Sequence, residues 1–203
     1  MGYFIAIEGT IGVGKTSLAR LLQPRFAPAR LMLEVVEENP FLSDFYSDRA
    51  RYAFQTQIFF LLSRYRQQLD ILDAQQRANN VNFLSDYLLA KDRIFASLNL
   101  DPVELDMHAR LYAILSAHVP TPDLVVYLRA SVDVLMQRIH MRDRSFEREI
   151  PRQYISDLNR AYEAFFAAYT AAPLLVIDTN DLDFVSRPAD LDLISQSIHD
   201  YLK

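Results

Sequence analysis

Short runs of apolar residues separated by longer amphipathic stretches set the rhythm of this chain. Tyr3-Phe4-Ile5-Ala6-Ile7 reads as a buried strand, and Ser17–Leu22 begins a helix with apolar residues three and four apart. Pro28 punctuates, and Arg30–Val36 reads as a second strand, broken by Asn39-Pro40 because a residue before proline is pushed out of the helical region. Tyr52 to Arg77 contains neither glycine nor proline and carries apolar residues at helical spacing from Phe54 to Leu72, ending at Asn79-Asn80. Val81–Asp86 predicts a third strand, and a helix follows over about Tyr87–Leu98. Asp101-Pro102 supplies an N-cap and a first-turn proline for a helix to about Ala117. Asp123–Leu128 is the fourth predicted strand, with helices from Val132 and from Pro151 to near Ala171. Leu174–Asp178 is the fifth strand, and Pro188 precedes a final helix. Strands alternating with helices predict an α/β protein with a five-stranded parallel sheet covered on both faces. Without repeat, linker or low-complexity segment, residues 1–203 read as one domain.

Glycine placement adds chemistry to this frame. The chain has four glycines, and Gly9, Gly12 and Gly14 fall in Gly9-Thr10-Ile11-Gly12-Val13-Gly14-Lys15-Thr16, which fits the phosphate-loop pattern G-x-x-x-x-G-K-[ST]. A glycine loop between a strand and a helix turns backbone N–H groups and a helix N-terminus towards an anion. A nucleoside triphosphate is the expected ligand, held by Gly9 to Thr16 and Ser17, with Lys15 solvent-facing until it arrives. The segment Gly12–Ser17 lacks the third glycine of a dinucleotide fingerprint.

Composition narrows the partners. The net charge of −5 argues against a nucleic-acid backbone and favours a free nucleoside or nucleotide. Absence of cysteine excludes disulfides and thiolate metal sites. No apolar run reaches the ~18 residues that span a bilayer. The N-terminus reads directly as a strand, so a cytoplasmic protein without membrane association is expected.

Further motifs discriminate among phosphate-loop proteins. A GTPase base reader, Asn-Lys-x-Asp, is absent, since Asp178-Thr179-Asn180-Asp181 lacks the lysine. Asp86, closing an apolar strand, suits the acidic residue that supports Mg2+ beside Thr16. Arg138, Arg142 and Arg144 form an arginine-rich segment suited to stabilising the charge of a transferred phosphoryl group.

With these motifs the chain resembles the deoxynucleoside kinase family, most of all its bacterial deoxyguanosine/deoxyadenosine kinases. The resemblance spans nearly the whole length. It rests on the Gly9–Thr16 loop, Glu34-Val35-Val36-Glu37-Glu38-Asn39-Pro40-Phe41-Leu42, Phe45-Tyr46, Gln57, Arg64, Ser85-Asp86-Tyr87, Phe95-Ala96-Ser97 and the arginine segment through Ile150-Pro151. It implies a P-loop kinase fold with a lid over about 138–150, and transfer of the ATP γ-phosphate to a deoxynucleoside 5′-hydroxyl with Mg2+. It also implies a homodimer, or a heterodimer with a related kinase, packed through long helices. The catalytic set would be Lys15, Glu34, Asp86, Arg142 and Arg144, with Arg138 on the nucleotide and Thr16 and Asp86 at the metal. The family's carboxylate at the acceptor hydroxyl falls on Glu34, with Glu38 the alternative alignment. Tyr46 and Glu147 would hold the sugar 3′-hydroxyl, and Gln57 and Arg64, seven residues apart on one helical face, the base. Phe95 would stack on the base or belong to the core.

Two departures bear on specificity. Ser85-Asp86-Tyr87 replaces the animal members' Glu-Arg-Ser, and Lys91 occupies the position of a base-facing aspartate in purine-preferring relatives. Asp92, its neighbour, would accept from guanine N1–H and N2–H, so deoxyguanosine is favoured and deoxyadenosine stays open. A nucleoside-monophosphate kinase is disfavoured by carboxylates where its substrate phosphate would need an arginine. A nucleotide-binding partner subunit of a sister kinase has no need of Lys15, Glu34 and an arginine lid.

Overall fold

The computed structural model describes residues 2–76, 80–144 and 147–202, with the backbone alone for 74–76. Five strands, β1 (Phe4–Glu8), β2 (Ala29–Met32), β3 (Asn82–Ser85), β4 (Leu124–Arg129) and β5 (Leu174–Asp178), form one parallel sheet in the order β2-β3-β1-β4-β5. Every residue of β1 is buried. Successive strand side chains point to opposite faces, so both faces are covered, as the apolar runs predict.

The helices are α1 (Lys15–Leu22), α2 (Leu42–Ser47), α3 (Arg49–Gln76), α4 (Lys91–Asn99), α5 (Pro102–Ser116), α6 (Val132–Arg142), α7 (Arg152–Ala167) and α8 (Pro188–Tyr201). On α7 the buried residues Tyr154, Ile155, Leu158, Tyr162 and Phe166 form one stripe, and Phe166 stacks on Tyr127 of β4 with ring centroids 4.2 Å apart. The Asp101 side chain caps α5 by accepting from the Val103 and Glu104 N–H groups, as its sequence predicts. The predicted helix end at Asn79-Asn80 falls partly outside the described residues, which leave Asn79 out.

Two boundaries and one added helix bear on the site and differ from the sequence reading. The second strand stops at Met32 instead of reaching Val36, because the Asp86 carboxylate takes the Glu34 N–H at 2.8 Å and Val36–Glu38 turns into a 3₁₀ helix. The helix predicted from Tyr87 starts at Lys91, since the Tyr87 N–H donates to Ser85 Oγ and the Leu88 N–H to the buried Glu8 carboxylate. α2, which no periodicity announced, is a single short helix after Pro40 with Leu42 and Phe45 buried against Phe60.

β1 lies between β3 and β4, and its connection leads to β2 on the far side of β3. Adjacent connections therefore leave the sheet in opposite directions at the C-terminal end of β1, where open parallel sheets form a crevice.

Candidate active site

The phosphate loop occupies that crevice. Gly12 and Gly14 have φ of 87° and 105°, in the left-handed region. A Cβ on Gly12 would stand 2.8 Å from the Leu135 carbonyl oxygen, and one on Gly14 2.7 Å from the Phe184 ring. Both the backbone twist and the close approach of α6 and of the segment after β5 therefore require glycine. Lys15 lines the open cleft and is partly solvent-facing, less than the sequence expectation has it. Its ammonium folds back to donate to the Gly9 and Thr10 carbonyls at 2.7 and 3.3 Å. Burial, then the charge of Lys91, lowers its pKa to about 8. Anionic phosphate oxygens are stronger acceptors than these two carbonyls, so an arriving triphosphate can draw the ammonium off them.

From the loop a cleft of about 1060 Å³ runs to the C-terminal ends of β2 and β3. Asp86, nearly fully buried at the end of β3, links its two halves. Asp86 Oδ2 accepts from the Thr16 hydroxyl at 2.5 Å, and Oδ1 accepts from the Glu34 N–H. These neighbouring oxygen donors, a hydroxyl and a carboxylate, fit a hard cation such as Mg2+, which takes few protein ligands alongside phosphate oxygens.

Glu34 lies just past β2 with its side chain mostly buried. Oε1 accepts from Arg64 Nε at 2.9 Å and also from Nη2, while Oε2 accepts from Lys91 Nζ at 2.8 Å. Burial alone would raise the Glu34 pKa. Arg64 and Lys91 outweigh it and hold the carboxyl well below the usual range. Glu37 and Glu38, the alternative alignment, are exposed on the cleft rim.

Gln57, Phe60, Arg64 and Phe95 form the inner wall. The Arg64 guanidinium lies 4.9 Å from the Phe60 ring centroid, and the Lys91 ammonium 5.5 Å from that of Phe95. Over the cleft, buried Glu147 accepts from Arg142 Nε at 3.1 Å and from Nη2, and lies 3.7 Å from Arg144 Nη1. Tyr46 completes this end. Its pKa is raised by burial first, then by Tyr154 and Glu147. Ser145 and Phe146 of the predicted lid lie outside the described residues.

Two residues do not stand where the sequence reading put them. Asp92 is fully buried and absent from the cleft wall, with Oδ1 accepting from Arg64 Nη1 at 2.5 Å, so it cannot meet a guanine edge. Arg138 borders the cleft, but its guanidinium donates to the Val13, Thr179 and Leu182 carbonyls and to the Thr179 hydroxyl. It therefore clasps the loop to the segment after β5 instead of reaching freely over phosphates.

Sequence reasoning missed two contributors. Glu8 is fully buried and accepts from the Gly9 and Leu88 N–H groups, stitching the loop to the turn after β3. A carboxylate closing a fully apolar strand was the available signal. Phe184, in the segment after β5, had no local signal at all.

The model of the family described as "Deoxynucleoside kinase" matches residues 5–203. A protein named deoxyguanosine kinase from Bacillus subtilis (strain 168) is 34% identical over 203 residues, covering 98% of this chain and 97% of its own length. A deoxyadenosine/deoxycytidine kinase of the same organism is 30% identical, over 98% of this chain and 94% of its own. A solved structure of deoxyadenosine kinase from M. mycoides with bound dATP superposes with a TM-score of 0.82 at 29% identity, covering 97% of this chain and 99% of that one.

Proposed function

The chain belongs to the deoxynucleoside kinase family, phosphotransferases with a P-loop kinase fold, and on that premise we propose that it phosphorylates the 5′-hydroxyl of purine deoxynucleosides, deoxyguanosine ahead of deoxyadenosine. ATP is the proposed donor, Mg2+ the proposed metal, and residues 1–203 the kinase domain with 138–150 as its lid. The observation that carries this reading is Asp86, whose two carboxylate oxygens join the phosphate loop at Thr16 to the acceptor site at Glu34.

The acceptor hydroxyl donates to the Glu34 carboxylate. A carboxylate held this acidic is a weak base, so it orients the nucleophile and takes its proton late, as the oxygen bonds to the γ-phosphorus. The bond from that phosphorus to the oxygen bridging it to the β-phosphate breaks, and ADP leaves with the electron pair. Loop N–H groups and Lys15 hold the β- and γ-phosphates in line. Mg2+, held beside Thr16 and Asp86, would neutralise charge on those phosphates. Tyr46 and Glu147 hold the sugar 3′-hydroxyl. A sugar that engages Glu147 competes with Arg142 and Arg144, freeing both arginines for the transferring group.

The base end of the cleft presents Gln57, Arg64 and Lys91 as donors, with Phe95 as the stacking surface. Guanine N7 and O6 are acceptors that suit them, and pyrimidines lack N7. Purines are expected to be preferred over thymidine and deoxycytidine by at least about tenfold in kcat/KM, since one well-placed polar contact is worth ~1–3 kcal/mol. Guanosine is expected to fall below deoxyguanosine. A competition assay over deoxyguanosine, deoxyadenosine, deoxycytidine, thymidine and guanosine checks this, and thymidine as best substrate overturns the purine reading. A monophosphate substrate is disfavoured, because Glu34, Glu37 and Glu38 would repel its phosphate. A partner subunit without turnover would need none of this acceptor machinery.

Substituting Arg142 or Arg144 by alanine is expected to lower kcat on the order of 10²-fold while raising the nucleoside KM less. Unchanged kcat in both variants would reduce the lid to a charged surface segment.

A homodimer, or a heterodimer with a related kinase, is the proposed assembly. Leu62 and Leu69 on α3 and Val103, Met107 and Ile114 on α5 are exposed apolar residues on helices packed together. Sedimentation of the purified chain tests it. Among the described residues no helix is long and apolar enough to cross a membrane, and action in the cytoplasm, on free nucleosides and ATP, completes the proposal.

A further inference from the structure

Arg64 stands between two carboxylates. Its Nε and Nη2 donate to Glu34, and its Nη1 to Asp92. With Lys91 on the other oxygen of Glu34, the side chains Lys91, Glu34, Arg64 and Asp92 alternate in sign. Asp92 is fully buried, and its Oδ2 has no hydrogen-bond partner among the described residues. A half-satisfied buried carboxylate carries a desolvation cost, which the Arg64 charge beside it offsets. Glu34 divides its single negative charge between Arg64 and Lys91, so Asp92 supplies the second anion that balances them. Beside that charge Asp92 adds geometry, because a second anchor on Nη1 fixes the plane of the guanidinium, which Glu34 Oε1 alone leaves free to swing.

We infer that Asp92 is a positioning residue for phosphoryl transfer, holding Arg64 and through it the Glu34 carboxylate against the acceptor hydroxyl. The inference rests on Glu34 being the group at that hydroxyl. Asp92 is then not itself a base reader, and because N7 is the acceptor that both purines offer Arg64, its substitution should alter the two purines alike.

Burial raises the Asp92 carboxyl to about 6 against the pull of Arg64. The groups facing it are Arg64 from α3, Glu34 from the segment after β2, Tyr87 from the turn before α4, Lys91 beside it and Tyr112 from α5. His108 of α5 is buried and faces Arg64, and burial with that charge lowers its pKa. Glu34 stays ionised far below 6. As pH falls through about 6, Asp92 gains a proton and the anchor on Arg64 loses its charge, so kcat falls.

The test compares the wild-type chain, Asp92→Asn and Glu34→Gln, with ATP and Mg2+, on deoxyguanosine and deoxyadenosine between pH 5 and 8.5. Asp92→Asn is expected to lower kcat by about 10- to 100-fold at neutral pH, the scale of a displacement near 1 Å. The loss should be equal for both purines, with nucleoside KM within about twofold and the acid limb gone. Near-normal kcat in Asp92→Asn while Glu34→Gln is crippled overturns the positioning role and leaves the Glu34 reading standing. Normal kcat in Glu34→Gln overturns that reading and this inference together. A changed ratio between the two purines overturns it in favour of base reading, and an acid limb that persists unchanged in Asp92→Asn belongs to another group and overturns it as well. Should Asp92→Asn fail to fold, Asp92→Glu takes its place, because a carboxylate moved by one methylene that leaves kcat normal on both purines overturns the inference.

Discussion

Lys15→Ala abolishes phosphoryl transfer, with kcat expected to fall by on the order of 10³-fold or more and the fold retained. Lys15 is the cation at the heart of the phosphate loop, and charge aimed at a developing anion in a partly enclosed site is worth far more than the same charge in water. In the unliganded protein its ammonium donates to the Gly9 and Thr10 carbonyls, and burial already depresses its pKa. Removing it therefore relieves a desolvated charge while giving up two loop contacts, and the melting temperature should move by only a few degrees. Turnover and thermal melting measured on the same preparation check both halves. Near-normal turnover would remove the phosphate-loop assignment altogether.

Glu34→Gln lowers kcat by about 10²–10⁴-fold, the range for a lost proton acceptor, with nucleoside KM little changed. Glu37→Gln and Glu38→Gln should be mild, since both side chains are exposed on the rim. A crippled Glu38→Gln would shift the acceptor carboxylate by four positions. The structure adds an effect on stability. Glutamine leaves Lys91 and Arg64 facing one another without the anion between them. Arg64 keeps Asp92, so the loss should be about 1–3 kcal/mol, short of the ~3–5 kcal/mol for a fully broken buried pair. The folded Glu34 carboxyl is more acidic than its ordinary value of 4.5. Its contribution to stability is therefore fully present above that pH and is lost as pH falls towards the lower folded value. Melting of the wild type and of Glu34→Gln across that range should converge at acid pH, and parallel curves would mean that the pair contributes nothing.

What the sequence by itself determined is what short-range chemistry can write. Spaced glycines with Lys15 and Thr16 specify a phosphate loop because three backbone positions must accept positive φ within a few residues. Apolar runs and prolines located all five strands, and β5 and the start of α8 fall where predicted. The cap at Asp101 is likewise a contact across two or three residues. Tertiary structure decided the rest. Glu34 meets Lys91 across 57 residues and Arg64 meets Asp92 across 28, and no local periodicity encodes either distance. Lys91 and Asp92 are neighbours in the chain, yet a helix turns successive side chains about 100° apart. One therefore reaches the cleft and the other is buried against Arg64. The second strand ends early because Asp86, from another strand, claims the Glu34 N–H, and Arg138 is spent on carbonyls that only packing brings to it. Residue types announce the chemistry, whereas which charge pairs with which depends on the desolvated geometry that the folded sheet and its helices create.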